Sequence, residues 1–327
     1  MPEIAGGKFV VVGGASQIGA TIAEQLLNEG AGEVVLVDNL SFGPADSMQP
    51  MIGDDRCSFV RADVRQIHEL FDPLAGASGV FYVAGVMSST IAKDPWLSLD
   101  VNSRGFQNAL EVCRRQGVQK IVYSSSIGVY GASTDLPTTE ESPLRWQQAP
   151  APMALYFASK VASEAMARYY RDAHGLDYVA LRYSSVYGER QHQRAMMGGG
   201  IAENCARVRR GEAPLADGDG TGTQDYVYVG DVARANLMAM ESPAGSESFN
   251  IVGGVELTQN RVLEVILRAA GSDLEPVYRD YTGTAKLAAA TRYVFDRQKA
   301  RDMLGWEPRV EIEEGVARVM AWIDARA

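Results

Sequence analysis

Residues 9–19 read Phe9-Val10-Val11-Val12-Gly13-Gly14-Ala15-Ser16-Gln17-Ile18-Gly19, a short β-branched run that breaks into glycines and then into a helical repeat. Such a run bounded by glycine predicts a buried strand, and Ile18, Ile22, Leu26 and Leu27 recur at helical spacing after it. Gly30 falls where a helix C-terminus is closed. Strand, glycine turn and helix in that order let the backbone approach a pyrophosphate, whose charge then rests on the free N–H groups of the helix N-terminus. Asp38 ends the next strand nineteen residues past Gly19, near the spacing of about 20 expected for a carboxylate that accepts hydrogen bonds from an adenosine ribose. A carboxylate there repels a 2′-phosphate, so the expected cofactor is NAD. It would be held by Gly13, Ser16, Gln17, Ile18 and Gly19 at one end of the turn and by Asp38 and Asn39 at the other. Asp63, with Val64 beside it, follows a further short strand; its carboxylate either reaches the adenine or caps a helix N-terminus.

Outward from this unit the same alternation continues. Strands are predicted at Val34 to Val37, Val80 to Val83, Lys120 to Tyr123 and Tyr178 to Leu181, with helices at Val101 to Arg115 and Tyr156 to Ala173. That is the pattern of βαβ units, hence an α/β, doubly wound parallel sheet of Rossmann type. From about Gly188 the character changes to glycine-rich loops, a basic helix around Arg207 to Arg210 and a turn-rich stretch from Asp217 to Gly222, which reads as a smaller domain. The Tyr156 to Ala173 helix is apolar on more than one face, which predicts burial against a second copy and therefore a homodimer.

The bulk properties narrow the function classes. In 327 residues, 46% are hydrophobic and 22% charged, the balance of an ordinary globular protein. A net charge of −10 repels polyanions, so neither nucleic acid nor an anionic membrane is expected as a partner. Three widely spaced cysteines, Cys57, Cys113 and Cys205, give no disulfide framework and no zinc-type pair. The histidines His68, His174 and His192 are isolated, so no metal is expected. With no basic leader and no apolar stretch of membrane-spanning length, the expected location is the cytoplasm.

Two further patterns carry chemistry. Tyr156 is followed by Lys160, one helical turn on, and no other tyrosine has a lysine at that offset. The pair shares a helix face, and the ammonium there can stabilise a phenolate. A free tyrosine titrates near about 10, too high for a base at neutral pH; a lysine with a nicotinamide cation nearby would lower it. Tyr123-Ser124-Ser125-Ser126-Ile127-Gly128-Val129-Tyr130-Gly131 ends the fourth predicted strand, at the sheet edge where open parallel sheets bind ligands. Ser126 is the expected hydroxyl that hydrogen-bonds a substrate oxygen as it becomes a carbonyl.

Together these stretches resemble the extended short-chain dehydrogenase/reductases, and within them the NAD-dependent nucleotide-sugar epimerases and dehydratases of UDP-glucose 4-epimerase type. The resemblance runs nearly end to end, through VVGGASQIG, VDNLSFG from Val37, VFYVAG from Val80, DVNSRGFQNALE from Asp100, YSSSIGVYG, YFASK from Tyr156, LRYSSVYGERQ from Leu181, DYVYVGDVARA from Asp225 and LGWEP from Leu304. It implies an NAD-binding Rossmann domain over 1–185, with 225–252 returning to it, and a substrate-binding α/β domain over 186–224 and 253–327. It implies Tyr156 as general base, Lys160 on the nicotinamide ribose, Ser126 on the substrate, and Asn102, Ala84, Gly85, Ser124 and Tyr183 along the cofactor. On the substrate side it points to Met87, Ser126, Ser185, Gln224 and Arg292. The implied reaction is oxidation of a sugar hydroxyl to a transient ketone, reduced again on its other face.

Departures from the family pattern bear on the substrate. Dehydratases and decarboxylases of the family carry an acid one or two places after the Ser126 position; here Ile127 and Gly128 stand there, so epimerisation or plain oxidation is expected. The middle glycine of the turn is Ser16, a hydroxyl near the pyrophosphate. The asparagine and arginine that hold a nucleotide diphosphate are replaced by Ser185 and Gln224, and a charge-assisted hydrogen bond of that kind is worth about 1.5–3 kcal/mol. Arg190, Arg194, Arg209 and Arg292 are candidates to replace the charge, and Met196 to Gly200 a candidate lid. Three functions are therefore expected in descending order: an epimerase of a nucleotide-linked sugar, an NAD-dependent dehydrogenase of a non-nucleotide sugar or other secondary alcohol, and a non-catalytic NAD sensor.

Overall fold

The computed structural model describes residues 1–43, 45–131, 135–145, 149–191, 200–280, 292 and 294–326. Its centre is a seven-stranded sheet in the order β10-β6-β5-β4-β1-β2-β3. The strands are β1 (Lys8–Val12), β2 (Glu33–Asp38), β3 (Cys57–Arg61), β4 (Gly79–Tyr82), β5 (Lys120–Ser126), β6 (Asp177–Tyr183) and β10 (Glu247–Ile251). Every pairing in it is parallel, with Val10 opposite Val35 and Val80, and Tyr123 opposite Ala180. Near-continuous Val, Ile and Leu runs follow from this, because strands covered on both faces have no side to give to water.

Three longer helices cover the two faces: α1 (Gln17–Asn28) on one, and α6 (Phe106–Gln116) and α7 (Ala151–His174) on the other. Between α1 and α6 come the short α2 (Gln49–Ile52), α3 (Phe71–Leu74), α4 (Ser88–Ile91) and α5 (Pro95–Leu99). One apolar core sets Phe9, Val11, Leu36 and Phe81 against Ile22 and Leu26 of α1 and Leu237 of α9 (Val229–Glu241). The opposite core sets Val10, Val35, Ile121 and Tyr123 against Phe106 and Leu110 of α6 and Ala167 and Tyr170 of α7. Each buried side chain of this size stabilises the fold by about 1.5–3 kcal/mol. The sequence placed α1 correctly, and Gly30 does adopt φ 82° just past its end. The helix predicted from Val101 begins instead as a π-helical turn, Asp100–Gly105, before α6. The one predicted from Tyr156 starts at Ala151.

A third core belongs to the C-terminal half. Tyr187, Ile201, Cys205, Val262, Ile266, Val316 and Val319 pack together, contributed by α8 (Ile201–Arg209), α10 (Gln259–Ala270), α12 (Ile312–Asp324) and the strands beside them. Here β7 (Ser185–Tyr187), β9 (Thr223–Tyr228) and β11 (Glu256–Thr258) form a three-stranded sheet, and β8 (Leu215–Asp217) pairs with β12 (Val277–Arg279). The short α11 (Gln298–Leu304) packs back toward the large sheet, where Trp306 is fully buried. The returning segment expected from residue 225 thus splits: β9 joins the small sheet, while α9 and β10 join the large one. Cys57, Cys113 and Cys205 are buried free thiols. Among the described residues, no helix is long and apolar enough to cross a membrane.

Candidate active site

β1 feeds α1 toward β2 on one side, while β4 lies on its other side, so the strand order reverses beside the C-terminal end of β1. A cleft open to solvent lies at that reversal and is lined by Gly13, Ser16, Asp38, Asn39, Val64, Ala84 and Gly85, among others. Gly13 takes φ 92°, and a Cβ there would stand 2.6 Å from the Ala84 nitrogen; at Gly19 it would stand 2.3 Å from the Gly13 oxygen. Both positions therefore exclude any side chain, and the backbone N–H groups that open α1 stay accessible.

Ser16 lines the cleft and is bonded within the turn. Its Oγ donates to Gly13 O at 2.7 Å and accepts from Gly19 N at 3.1 Å, so the residue caps α1 and closes the turn from within. Gln17 Nε2 donates to Glu189 O at 2.9 Å, and Ile18 packs between two of the cores. At the far end the Asp38 carboxylate accepts from Ala15 N at 3.1 Å and Leu40 N at 2.8 Å. Burial raises its pKa while these amides pull the other way. Asn39 Nδ2 donates to Asp63 at 3.2 Å. The Asp63 carboxylate pairs with Arg65 at 2.6 Å and accepts from Arg65 N at 3.0 Å, and that pairing holds it at about 2. Its neighbours Ala62 and Val64 face the cleft instead.

A second group of residues stands next to the Gly85 end of the cleft. Tyr156, 9% exposed, and Lys160 lie one turn apart on the sheet-facing side of α7, and Ser126 ends β5. The Ser126 hydroxyl stands near enough to the Tyr156 phenol to lower its pKa, and it accepts from Gly128 N at 3.0 Å. Lys160 Nζ donates to Ser124 O at 2.8 Å and stands 5.7 Å from the centre of the Tyr156 ring. A Cβ on Gly85 would meet this amine at 3.6 Å, which places the loop after β4, and hence the cleft, against Lys160. Burial pushes the phenol up to about 12 and the amine down to about 8. Burial is the larger cause at the phenol, and Ser126 opposes it.

Supporting contacts hold this geometry. The π-helical turn presents Asn102, whose Oδ1 accepts from Val86 N at 2.8 Å and whose Nδ2 donates to Val86 O at 3.0 Å and to Ser159 Oγ at 3.3 Å. Ser159 Oγ in turn donates to Tyr156 O at 2.6 Å. Ser124 Oγ donates to the Tyr183 hydroxyl at 3.3 Å, which also receives Asn236 Nδ2 at 2.8 Å. Ser159 and Asn236 escaped the sequence reading: Ser159 lies inside YFASK but its contact with Asn102 comes from another element, and Asn236 reaches Tyr183 only through the fold.

The residues expected on the substrate side are built differently. Met87, 46% exposed, precedes α4. Ser185 on β7 and Gln224 on β9, the two departures from the family pattern, touch each other: Ser185 Oγ donates to Gln224 Oε1 at 3.0 Å. Arg292 pairs with Glu256 at 2.8 Å, and Thr223 Oγ1 donates to the same carboxylate at 2.9 Å. Two other candidate cations are engaged elsewhere, Arg190 with Glu24 at 2.8 Å and Arg209 with Asp324 at 2.7 Å. Arg194 and the candidate lid from Met196 to Gly199 lie outside the described residues.

A side-chain-free turn before a helix N-terminus, a carboxylate at the next strand end and a Tyr, Lys, Ser cluster along one cleft fit a dinucleotide with a reacting alcohol at its far end. Known proteins share this plan. Residues 9–252 match the sequence model of the NAD dependent epimerase/dehydratase family. A putative UDP-glucose 4-epimerase of Methanocaldococcus jannaschii is 33% identical, with 96% of this chain and 98% of that protein covered. The UDP-glucose 4-epimerase of Mycolicibacterium smegmatis is also 33% identical, over 96% and 97%. The crystal structure of UDP-glucose 4-epimerase from Thermotoga maritima, solved with UDP-glucose, superposes with a TM-score of 0.86 at 31% identity, covering 98% of this chain and 99% of that one. With sequence, topology and cleft in agreement along almost its whole length, the chain belongs to the NAD-dependent epimerase/dehydratase family.

Proposed function

We propose that the protein is an NAD-dependent epimerase of a nucleotide-linked sugar that works through a transient keto intermediate. The observation that carries this reading is the convergence of Tyr156, Lys160 and Ser126 at the end of a dinucleotide cleft, with no acid beside Ser126. When bound, NAD supplies an acceptor for the hydride of the sugar carbon and returns it to the ketone. Ser126 orients the substrate hydroxyl. Tyr156 takes the hydroxyl proton as the carbonyl forms and gives it back when the carbonyl is reduced. Its pKa of about 12 calls for the positive charge of Lys160 and of the oxidised cofactor ring to bring the phenolate within reach. Lys160, donating to Ser124 O, keeps further N–H groups for a ribose. Ile127 and Gly128 leave the neighbouring carbon without a second acid, which favours turnover of the ketone over elimination. In this reading 1–185 with the returning α9 and β10 serve the cofactor, 186–228 with 253–327 hold the substrate, and the enzyme works in the cytoplasm as a homodimer through the exposed side of α7, where Tyr169 is 62% exposed.

The Ser185–Gln224 hydrogen bond favours a second reading. A neutral pair that satisfies itself, beside an Arg292 already paired with Glu256, suits a hydroxyl-rich group better than a diphosphate. A dehydrogenase of a non-nucleotide sugar would use the same Tyr156, Lys160 and Ser126 and release the ketone.

One experiment separates the two. The purified protein, loaded with NAD, is incubated with UDP-glucose, UDP-galactose and the free sugars while the sugar epimers and NADH are both measured. Epimer formation from a UDP-sugar without net NADH is expected. NADH accumulating only with free sugars replaces the epimerase by the dehydrogenase.

A further inference from the structure

One carboxylate next to the catalytic cluster has no part in the mechanism above. Glu164 lies one turn past Lys160 on α7 and is largely buried, its side chain 12% exposed and that of its partner Arg182 8% exposed. Both oxygens are engaged. Oε1 accepts from Ser125 Oγ at 2.5 Å and Arg182 Nε at 3.0 Å; Oε2 accepts from Arg182 Nη2 at 2.7 Å and Ser248 Oγ at 3.4 Å. Arg182 continues the chain through Nη1 to the Tyr130 hydroxyl at 2.7 Å, which donates to Asn250 Oδ1 at 2.6 Å.

The placement of Ser125 gives this network its bearing on the reaction. Ser125 stands between Ser124, whose carbonyl receives the Lys160 amine at 2.8 Å, and Ser126, which meets Tyr156. A single carboxylate therefore ties the helix turn that carries the amine to the strand that carries the amine's acceptor and the substrate-orienting hydroxyl. Around the amine, α7 contributes Tyr156 and Glu164, β5 contributes Tyr123 with its ring centre 4.9 Å away, and the π-helical turn contributes neutral Asn102. Around Glu164 stand Arg182 and Tyr178 of β6, Tyr123 of β5 and Tyr130 beyond it. Burial drives the amine toward its neutral form and Glu164 opposes it.

We infer that Glu164 is a positioning residue for the reaction: it locks Lys160 and the Ser124–Ser126 strand end into one frame, and its charge favours the cationic amine. The inference rests on the roles proposed above for Lys160 and Ser126. Its test reads the pH dependence of NAD affinity by calorimetry beside that of turnover, since Lys160 would serve both. In Glu164→Gln the alkaline limb of both profiles is expected to move down by about one pH unit, the size of effect that an opposite charge within about 4–6 Å has on a titrating group. Glu164→Asp keeps the charge and is expected to return the limb toward its original place. Because Glu164→Gln leaves Arg182 buried without its partner, the double variant Glu164→Gln/Arg182→Met is read if the single one does not fold, with the same limb shift expected. Ser125→Ala keeps the charge and cuts the tie to the strand, so a several-fold fall in kcat with the limb unmoved is expected.

Loss of amplitude or of thermal stability in Glu164→Gln with both limbs in place would reduce Glu164 to a structural salt bridge and overturn the inference. An unchanged kcat in Ser125→Ala would overturn its positional half. If NAD affinity shows the limb and its shift while no sugar is turned over, the proposed reaction falls and the role of Glu164 in setting Lys160 stands.

Discussion

Around Gly13, Gly19 and Asp38 the cleft is shaped by backbone: two positions where no Cβ fits, and a carboxylate that accepts main-chain amides. The region of Ser185, Gln224, Glu256 and Arg292 is built from side chains that pair with one another. The first arrangement tolerates almost no substitution and receives one kind of ligand. The second is a set of exchangeable partners, each changed without moving a strand. A family that keeps one cofactor and varies its substrates needs this division, since backbone geometry is hard to alter piecemeal and a surface of side-chain pairs is easy to alter.

The strongest test of the contrast lies at the catalytic cluster between the two regions. Tyr156→Phe removes only a hydroxyl and is expected to cut turnover by about 10²–10⁴-fold, the range for a missing general base, with NAD affinity kept. Equal loss of both in steady-state and calorimetric measurements would mean that the phenol serves the cofactor site and not the chemistry. Next, Gly19→Ala on the backbone side is expected to abolish measurable NAD binding and lower Tm, because its Cβ would press 2.3 Å from Gly13 O. On the side-chain side, Gln224→Arg is expected to fold normally and to lower the KM for a UDP-sugar by about 10-fold or more, one charge-assisted hydrogen bond at about 1.5–3 kcal/mol. If both substitutions have similar effects on stability, the contrast drawn between the regions fails.

Smaller effects sharpen it. Ser16→Ala removes the cap of α1 and is expected to cost about 0.5–2 kcal/mol in denaturant unfolding, with NAD affinity changed little because the hydroxyl is spent inside the turn. Asp225, a buried residue of β9 that accepts from Gly253 N and Gly254 N, has its pKa raised to about 6 by burial. A carboxyl raised in the folded state binds its proton there more tightly than in the unfolded chain. Its contribution to stability is therefore full below about 3.8 and is lost as pH rises through about 6. Thermal midpoints compared between pH 4 and 7 are expected to show the parent losing ground to Asp225→Asn as pH rises; a difference flat across that range removes the assignment.

The two regions were also unequally legible in the sequence. The glycine turn, Asp38, the first six strands and the Tyr156 to Lys160 offset could be read because each is a local pattern whose spacing is set by one strand or one helix turn. The Ser185–Gln224 bond could not be read, since the partners lie on β7 and β9 and only strand register brings them together. The same holds for Asp63, whose competitor Arg65 is local but whose second partner Asn39 comes from the neighbouring strand end. The π-helical turn was read as plain helix, because its apolar spacing differs little from the α-helical one until Asn102 is seen clamping Val86.

The seventh strand of the large sheet has a consequence for biogenesis. β6 is finished at Tyr183, yet the strand that covers its free edge begins only at Glu247. At about 5–20 residues per second, a ribosome needs roughly 3–13 s to make the stretch between them. For that interval the nascent chain carries an apolar, parallel edge with unpaired main-chain groups, the kind of template on which neighbouring chains aggregate. The emerging polypeptide is thus most exposed to misassembly, and most in need of chaperone cover, midway through its own translation.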